Sequence, residues 1–475
     1  MALAVLDGGG NAFDAVVAAG FAAAAAEPTL TGLGGGGFVL TRTAAGVATL
    51  FDFFVDTPGR GVAPGGAPLE PDFQAITVRF PGAEQDFNVG RGSVAVPGTL
   101  AGYLHLHRRL GRLPLADVVA PAARLAREGV VVNRLQADLI ELLAPILTLE
   151  AAGAALFAPG ATVLGAGERY VNLALGDFLE HLGAGAVTGF DDPSVTPAIV
   201  ADMADGGGLV TADDLAAYRV VERVPLELGY RRHHILTNPA PSFGGELIAL
   251  TLRLLEDRGP APAWGSAGHL LGLVDTLVEL DEVRAAGAVV ARLRSSGGTT
   301  HVSVADAEGN VAAMTTSNGE GSGYVVPGTG VMLNNMLGED DLHPDGFHAA
   351  PAGERVASMM APTIVLDPAG GVRLAVGSGG SKRIRTALVQ VITAVVDHGF
   401  DLRRAVEGPR LHWDGGLVQM EPGFPPEAVA ALADRVPTNV WEDRNLYFGG
   451  AHAVGAGGEA GADPRRGGWC GGPGA

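Results

Sequence analysis

A hydroxyl residue behind two glycines, at the head of a strand, constrains this chain more than any other feature. The segment is Gly297-Gly298-Thr299-Thr300-His301-Val302-Ser303-Val304. Before it, apolar residues recur mainly with a helical period. From Thr299 they alternate, with Thr299, His301 and Ser303 on one face and Thr300, Val302 and Val304 on the other, the pattern of a half-buried strand. Ala307-Glu308-Gly309-Asn310 is a turn, and Val311 to Thr316 returns as the second strand of a hairpin. The glycines permit the unusual backbone that self-cleavage needs. A cut between Gly298 and Thr299 gives Thr299 a free α-amino group beside its own hydroxyl. Nucleophile and base then share one residue, anchored by the strand.

The rest of the chain supplies the layers around that hairpin. Residues 10–27 are Ala-rich and apolar nearly all round, a buried helix capped at Asn11. A glycine run, Gly32 to Gly37, leads into a strand over Phe38–Thr41. Helical patterns surround Leu104 and cover Leu115–Arg127, 172–182, 211–218, Glu246–Glu256, 266–286 and 382–397. Strands fit Leu226–Leu236, Thr363–Leu366 and Val372–Val376, and the Gly-rich end, 453–475, reads as mobile. Helices, then strands, then helices suggest an α+β chain with stacked sheets sandwiched by helices.

Composition excludes several function classes. The 475 residues carry a formal net charge of −20, which argues against nucleic acid or an anionic membrane as partner. The single cysteine, Cys470, excludes an intrachain disulfide framework and a cysteine-based metal cluster. The apolar run Ala15 to Ala26 is too short to span a bilayer. No basic segment precedes it, so no signal peptide is read and the cytoplasm is expected, although a leader or first strand could precede this start.

Other candidate sites have blander explanations. Gly32-x-Gly34-x-x-Gly37 matches a dinucleotide fingerprint, with Asp52 further on, but a helix precedes it and a strand follows, the reverse of what that motif needs. Close backbone packing explains the glycines better. His105 and His107 lie two apart on a helix and do not share a face. Glu339, Asp340 and Asp341 read as a solvated acidic loop rather than a cation site. By contrast, Ser317 falls on or just beyond the return strand, where its hydroxyl reaches Thr299. Gly377-Ser378-Gly379-Gly380-Ser381 sits between a strand and a helix, where backbone N–H groups suit an oxyanion hole or a phosphate.

These residues resemble the γ-glutamyltranspeptidase family of N-terminal nucleophile hydrolases. The likeness runs through Gly8 to Ala15, Glu27-Pro28 with Gly32 to Gly37, Val96-Pro97-Gly98, Leu215 to Tyr218 and Pro239 to Gly245. It continues through Thr299-Thr300-His301, Leu333-Asn334-Asn335, Ala361-Pro362-Thr363 and Asp463-Pro464-Arg465. The resemblance implies a four-layer αββα sandwich, made as a precursor cut before Thr299. Fragments 1–298 and 299–475 would remain one intertwined unit. It further implies Thr299 as nucleophile, its amine as base, Ser317 as the residue that positions it, and Gly379 and Gly380 as the oxyanion pair. No metal or organic cofactor is implied.

The implied substrate pocket departs from the family. The arginine that clamps the glutamyl α-carboxylate falls at Phe54, and the serine pair falls at Ser358-Met359. The residues that hold the α-amino group fall at Met336 and Glu339, with Asn318 as a replacement for the family's asparagine. Phenylalanine does not substitute for a bidentate arginine. The expected substrate is therefore a γ-glutamyl or related amide, released to water or an acceptor amine, with the free glutamyl end disfavoured. A glutaryl-type acylase and an inactive, binding relative are the alternatives; a nucleotide-binding protein built on Gly32–Gly37 is a third.

Overall fold

The computed structural model describes residues 1–62, 70–80, 83–286, 298–343 and 345–472. Gly297 lies outside them. In chain order, the strands of the two main sheets are β1 (Gly36–Arg42), β2 (Ala48–Phe53), β3 (Val221–Arg223), β4 (Leu226–Tyr230), β5 (His233–Thr237), β6 (Thr300–Ala305), β7 (Val311–Ser317), β8 (Thr363–Leu366), β9 (Val372–Gly379), β10 (Gly450–Val454) and β11 (Ala460–Gly461). The first sheet has the order β6-β7-β1-β2-β3 and the second β11-β10-β9-β8-β5-β4. Each sheet mixes strands from before and after Thr299.

The strand faces explain the layering. On β1, Phe38 and Leu40 join the apolar cluster that runs between the sheets with Ile364, Leu374 and Val376. Val39 points the other way, into the cluster formed with the helices. That helical layer contains α1 (Ala12–Ala26), α2 (Thr99–Leu110), α3 (Leu115–Glu128) and α4 (Leu173–Gly183); α1 packs on β6 and β7, and α2 on β1 and β2. The second sheet is covered by α5 (Phe243–Asp257), which packs on β4 and on α6 (Ala267–Ala286), and by α7 (Arg383–Val396), which packs on β9 and β10. Since β6 and β7 also face β9 and β10, the result is an αββα sandwich. None of the described helices is long and apolar enough to cross a membrane.

Helix starts follow local chemistry. Asn11 and Asp14 form a reciprocal capping box, and Thr211 with Asp214 does the same for a helix over Ala212–Ala217.

Three expectations need correction. Leu226–Leu236 is a hairpin, not one strand, because Arg231 and Arg232 turn the chain at φ 48° and 69° without a glycine to signal it. Arg231 is held there by Asp397 at 3.3 Å. The strand from Val372 runs three residues further, to Gly379. The Gly-rich end is also not loose: β10 runs into it, β11 lies within it, and Asp463 and Arg465 are buried. Asp463 pairs with Arg410 at 2.7 Å and with Arg465 at 3.1 Å, while Arg465 also pairs with Glu421. Buried charges are stable only when paired in this way, and composition does not reveal such pairing.

Candidate active site

The hairpin register builds the site. Thr300 stands opposite Thr316, which sets Thr299 opposite Ser317 at the open end. The Ser317 hydroxyl donates to the Gly298 carbonyl, and the Gly319 amide donates to Ser317 Oγ at 2.9 Å. Ser317 thus polarises the carbonyl that precedes Thr299. Thr299 itself is 5% exposed.

The alternating faces separate two sets of contacts. Thr299 and His301 point across to the second sheet. A Cβ placed on Gly379 would stand 2.5 Å from the Thr299 carbonyl oxygen and 3.2 Å from its Cβ, so only glycine lets β9 come this close. A Cβ on Gly377 would meet the His301 ring at 2.2 Å. The His301 imidazole bonds Thr315 Oγ1 and Ser303 Oγ, each at 2.8 Å, and burial holds its pKa well below the ordinary range. The more polar of the two alternating faces is therefore the one that meets the second sheet. On the opposite face, Thr300 Oγ1 donates to Glu27 at 2.8 Å. Burial raises the Glu27 pKa despite that bond and the nearby charge of Arg466.

The glycine run serves β7 rather than a nucleotide. Cβ atoms on Gly34, Gly35 and Gly37 would come within 2.5 Å, 2.0 Å and 2.4 Å of the backbone oxygens of Met332, Ser317 and Thr315. Helix α1 precedes the run and β1 follows it, as the sequence indicated.

Beyond Gly379, Gly380 at φ +119° and Ser381 at φ +49° turn the strand into α7. The Arg383 and Ile384 amides bond the Gly380 and Ser381 carbonyls at 3.0 Å. Those two amides of the helix terminus are thereby used within the turn.

The expected substrate residues divide into two groups. Asn318 lies within the Ser317–Gly319 loop and Glu339 beside it. Asn318 Nδ2 donates to the Met332 and Leu333 carbonyls at 3.3 and 3.4 Å, and its Oδ1 is buried without a hydrogen-bond partner among the described residues. A Cβ on Gly319 would lie 2.6 Å from Glu339 Oε1. Glu339 is buried, so the solvated acidic loop expected there is corrected at that residue, while Asp340 is exposed.

Phe54, Met336 and Met359 instead lie in the apolar cluster between the sheets, at 1%, 1% and 5% exposure. Phe54 stacks on Phe38 with centroids 5.5 Å apart. The nearby Arg355 is no substitute clamp: it is committed to Asp56 at 2.9 Å, Asp52 at 3.2 Å, Tyr218 at 3.0 Å and the Arg219 and Phe54 carbonyls. Ser358 is buried too; its Oγ accepts the Met360 amide at 3.1 Å, and its carbonyl accepts the Ser242 hydroxyl at 2.8 Å.

His105 pairs with Glu222 at 2.9 Å and His107 with the Leu113 carbonyl at 2.8 Å. Among the described residues no cluster of three potential metal ligands occurs. Sequence reasoning missed Arg466, whose Nη1 donates to the Thr299 carbonyl at 3.2 Å. It also missed the contact of Glu27 with Thr300; Glu27-Pro28 stood in the motif, but nothing local linked it to the Thr299 strand.

Comparison with known proteins agrees with this geometry. The family model described as Gamma-glutamyltranspeptidase matches residues 1–280 and 275–471. The chain is 33% identical to the Acylase ACY 1 proenzyme of Pseudomonas sp. (strain SE83), covering 91% of this chain and 83% of that protein. It is 30% identical to the Glutathione hydrolase proenzyme of Escherichia coli (strain K12), covering 90% and 82%. The crystal structure of cephalosporin acylase from Bacillus halodurans superposes with a TM-score of 0.77 at 25% identity, over 99% of this chain and 94% of that one. With the Thr299 hairpin, glycine run and sandwich all in place, the chain belongs to the gamma-glutamyltranspeptidase family of N-terminal nucleophile hydrolases.

Proposed function

We propose that this chain is a precursor that cuts itself between Gly298 and Thr299 and then works as an amidohydrolase or acyltransferase on an acyl group without a free glutamyl α-carboxylate. The observation that carries the reading is the Ser317 hydrogen bond to the Gly298 carbonyl, beside a threonine held against Gly379. Thr299 Oγ adds to the Gly298 carbonyl carbon. The C–N bond breaks, the proton passes to the Thr299 nitrogen, and an ester remains that water splits. Strands from both fragments share each sheet, so the cut does not separate them.

In the mature form the Thr299 amine, with a reference pKa of roughly 7.7–8.0, takes the hydroxyl proton near neutral pH. Thr299 Oγ then adds to the substrate amide carbonyl. The oxyanion is met by the amides of Gly379 and Gly380, the amine departs with the proton, and water or a second amine releases the acyl group.

The acyl preference rests on Phe54, buried and stacked where the resemblance expects an arginine, and on Arg355 being fully engaged. The relatives include both an acylase and a glutathione hydrolase, so γ-glutamyl turnover is the competing reading. Denaturing mass analysis tests the first claim: two fragments joining at Gly298/Thr299, absent in Thr299→Ala. Paired turnover of glutaryl and γ-glutamyl anilides tests the second, and faster use of the γ-glutamyl compound would overturn it.

A further inference from the structure

We propose that Arg466 is a positioning residue for the nucleophile: its guanidinium holds the Thr299 carbonyl at the Gly379 edge, and its charge favours the base form of the released Thr299 amine. The inference rests on Thr299 acting as the nucleophile.

Three contacts place Arg466. Its Nη1 donates to the Thr299 carbonyl at 3.2 Å. The same nitrogen would lie 3.2 Å from a Cβ on Gly379, so the guanidinium sits beside the glycine that presses on Thr299. The stem of the side chain runs over Gly450, where an added Cβ would stand 2.3 Å from Arg466 Cδ; the absence of a side chain at 450 makes the channel. Neighbouring Asp463 is occupied by Arg410 and Arg465, so Arg466 does not have this carboxylate as its own close partner. Burial lowers its pKa to about 10, which leaves it charged at neutral pH.

The charged and titratable groups around Thr299 come from several elements. Glu27 lies at the end of α1, Arg383 at the head of α7, and Asp463 and Arg466 in the C-terminal turn. His301 on β6 and His452 on β10 are held neutral by burial, the latter with a pKa of about 4; Glu339 lies beside Gly319. A cation disfavours an adjacent ammonium and an anion favours it. Arg466 and Glu27 therefore act on the Thr299 amine with opposite sign.

The experiment uses the full chain as wild type, Arg466→Met, Arg466→Lys and Glu27→Gln. It follows cleavage by denaturing mass analysis, and kcat and KM of the processed enzyme across pH. Arg466→Met is expected to cleave about 10²-fold more slowly, a loss typical of a misplaced reacting group, with Lys recovering part of the rate. Among processed forms, the acid limb of kcat/KM moves up in Arg466→Met and down in Glu27→Gln, while KM changes little. Should Arg466→Met stay uncleaved, a cooperative melt within a few degrees of Thr299→Ala supports the proposal, and a lost transition overturns it. Cleavage and turnover within about twofold of wild type, or acid limbs moving the same way, also overturn it. A wild type that never cleaves would instead defeat the self-processing reading, before any variant is compared.

Discussion

The edge at Thr299 and the apolar shell at Phe54 are both built around the space between the two sheets, yet they are built on opposite principles. At the edge the residues are small or polar. Gly377 and Gly379 let β9 approach His301 and Thr299, and hydroxyls and amides are bonded one to another through Ser317 and Gly319. At the shell, Phe54, Met336 and Met359 fill volume, and Phe54 stacks on Phe38. The first arrangement depends on position to a fraction of an ångström. The second depends on volume and tolerates chemical change as long as the space stays filled. The difference teaches that close polar fit and apolar volume filling rest on separable physical terms within one intersheet space.

The comparison breaks most sharply at Thr299. Thr299→Ala removes hydroxyl and processing together; turnover should fall by about 10³–10⁶-fold with the melting temperature little changed, measured on the intact chain. The converse experiment is Phe54→Ala, which leaves a cavity in the intersheet core and should cost about 3–5 kcal/mol of stability in denaturant melts. Unchanged stability there would mean that Phe54 is not a packing residue.

Ser317 sharpens the edge itself. Ser317→Ala should slow self-cleavage by about 10²–10³-fold, the range for losing one donor to a developing oxyanion, whereas Ser317→Thr should retain most of the rate. Equal rates for the two would show that the hydroxyl only fills space.

The smallest expected effect is a pH dependence from buried histidines, of which His452 lies near the Thr299 edge. Burial lowers the pKa of His269 and of His452 to about 4. In each case the unfolded chain takes up the proton first, so stability is fully present above about 6.5 and falls as pH drops toward about 4. A shift of this size corresponds to roughly 3 kcal/mol for the more buried His452. His452→Asn should flatten the melting-temperature slope across that window; an unchanged slope would assign the acid sensitivity elsewhere.

Much of the scaffold was legible because it is local. The capping boxes at Asn11 and Thr211, the hairpin from Thr299 and the helices covering 266–286 and 382–397 are written in spacing and turn residues that need no distant partner. The turn at Arg231-Arg232 escaped because its positive φ values are stabilised by Asp397, far along the chain. The Gly-rich end escaped for a similar reason. Asp463 and Arg465 find their partners at Arg410 and Glu421, and no composition rule sees a buried ion pair.

The site divides along the same line. By itself the sequence determined that Thr299 follows a glycine at a strand head, that Ser317 lies at the end of the return strand, and that a Phe stands where an arginine was expected. Alternation and turn chemistry act over a few residues, so they survive in one dimension. Only the tertiary structure decided which face of that strand enters the interior, that Gly379 presses on Thr299, that Arg466 holds its carbonyl, and that Glu339 is buried beside Gly319. Those contacts join residues that are distant along the chain. They exist because two sheets close on each other, and the glycines between them set how near they come.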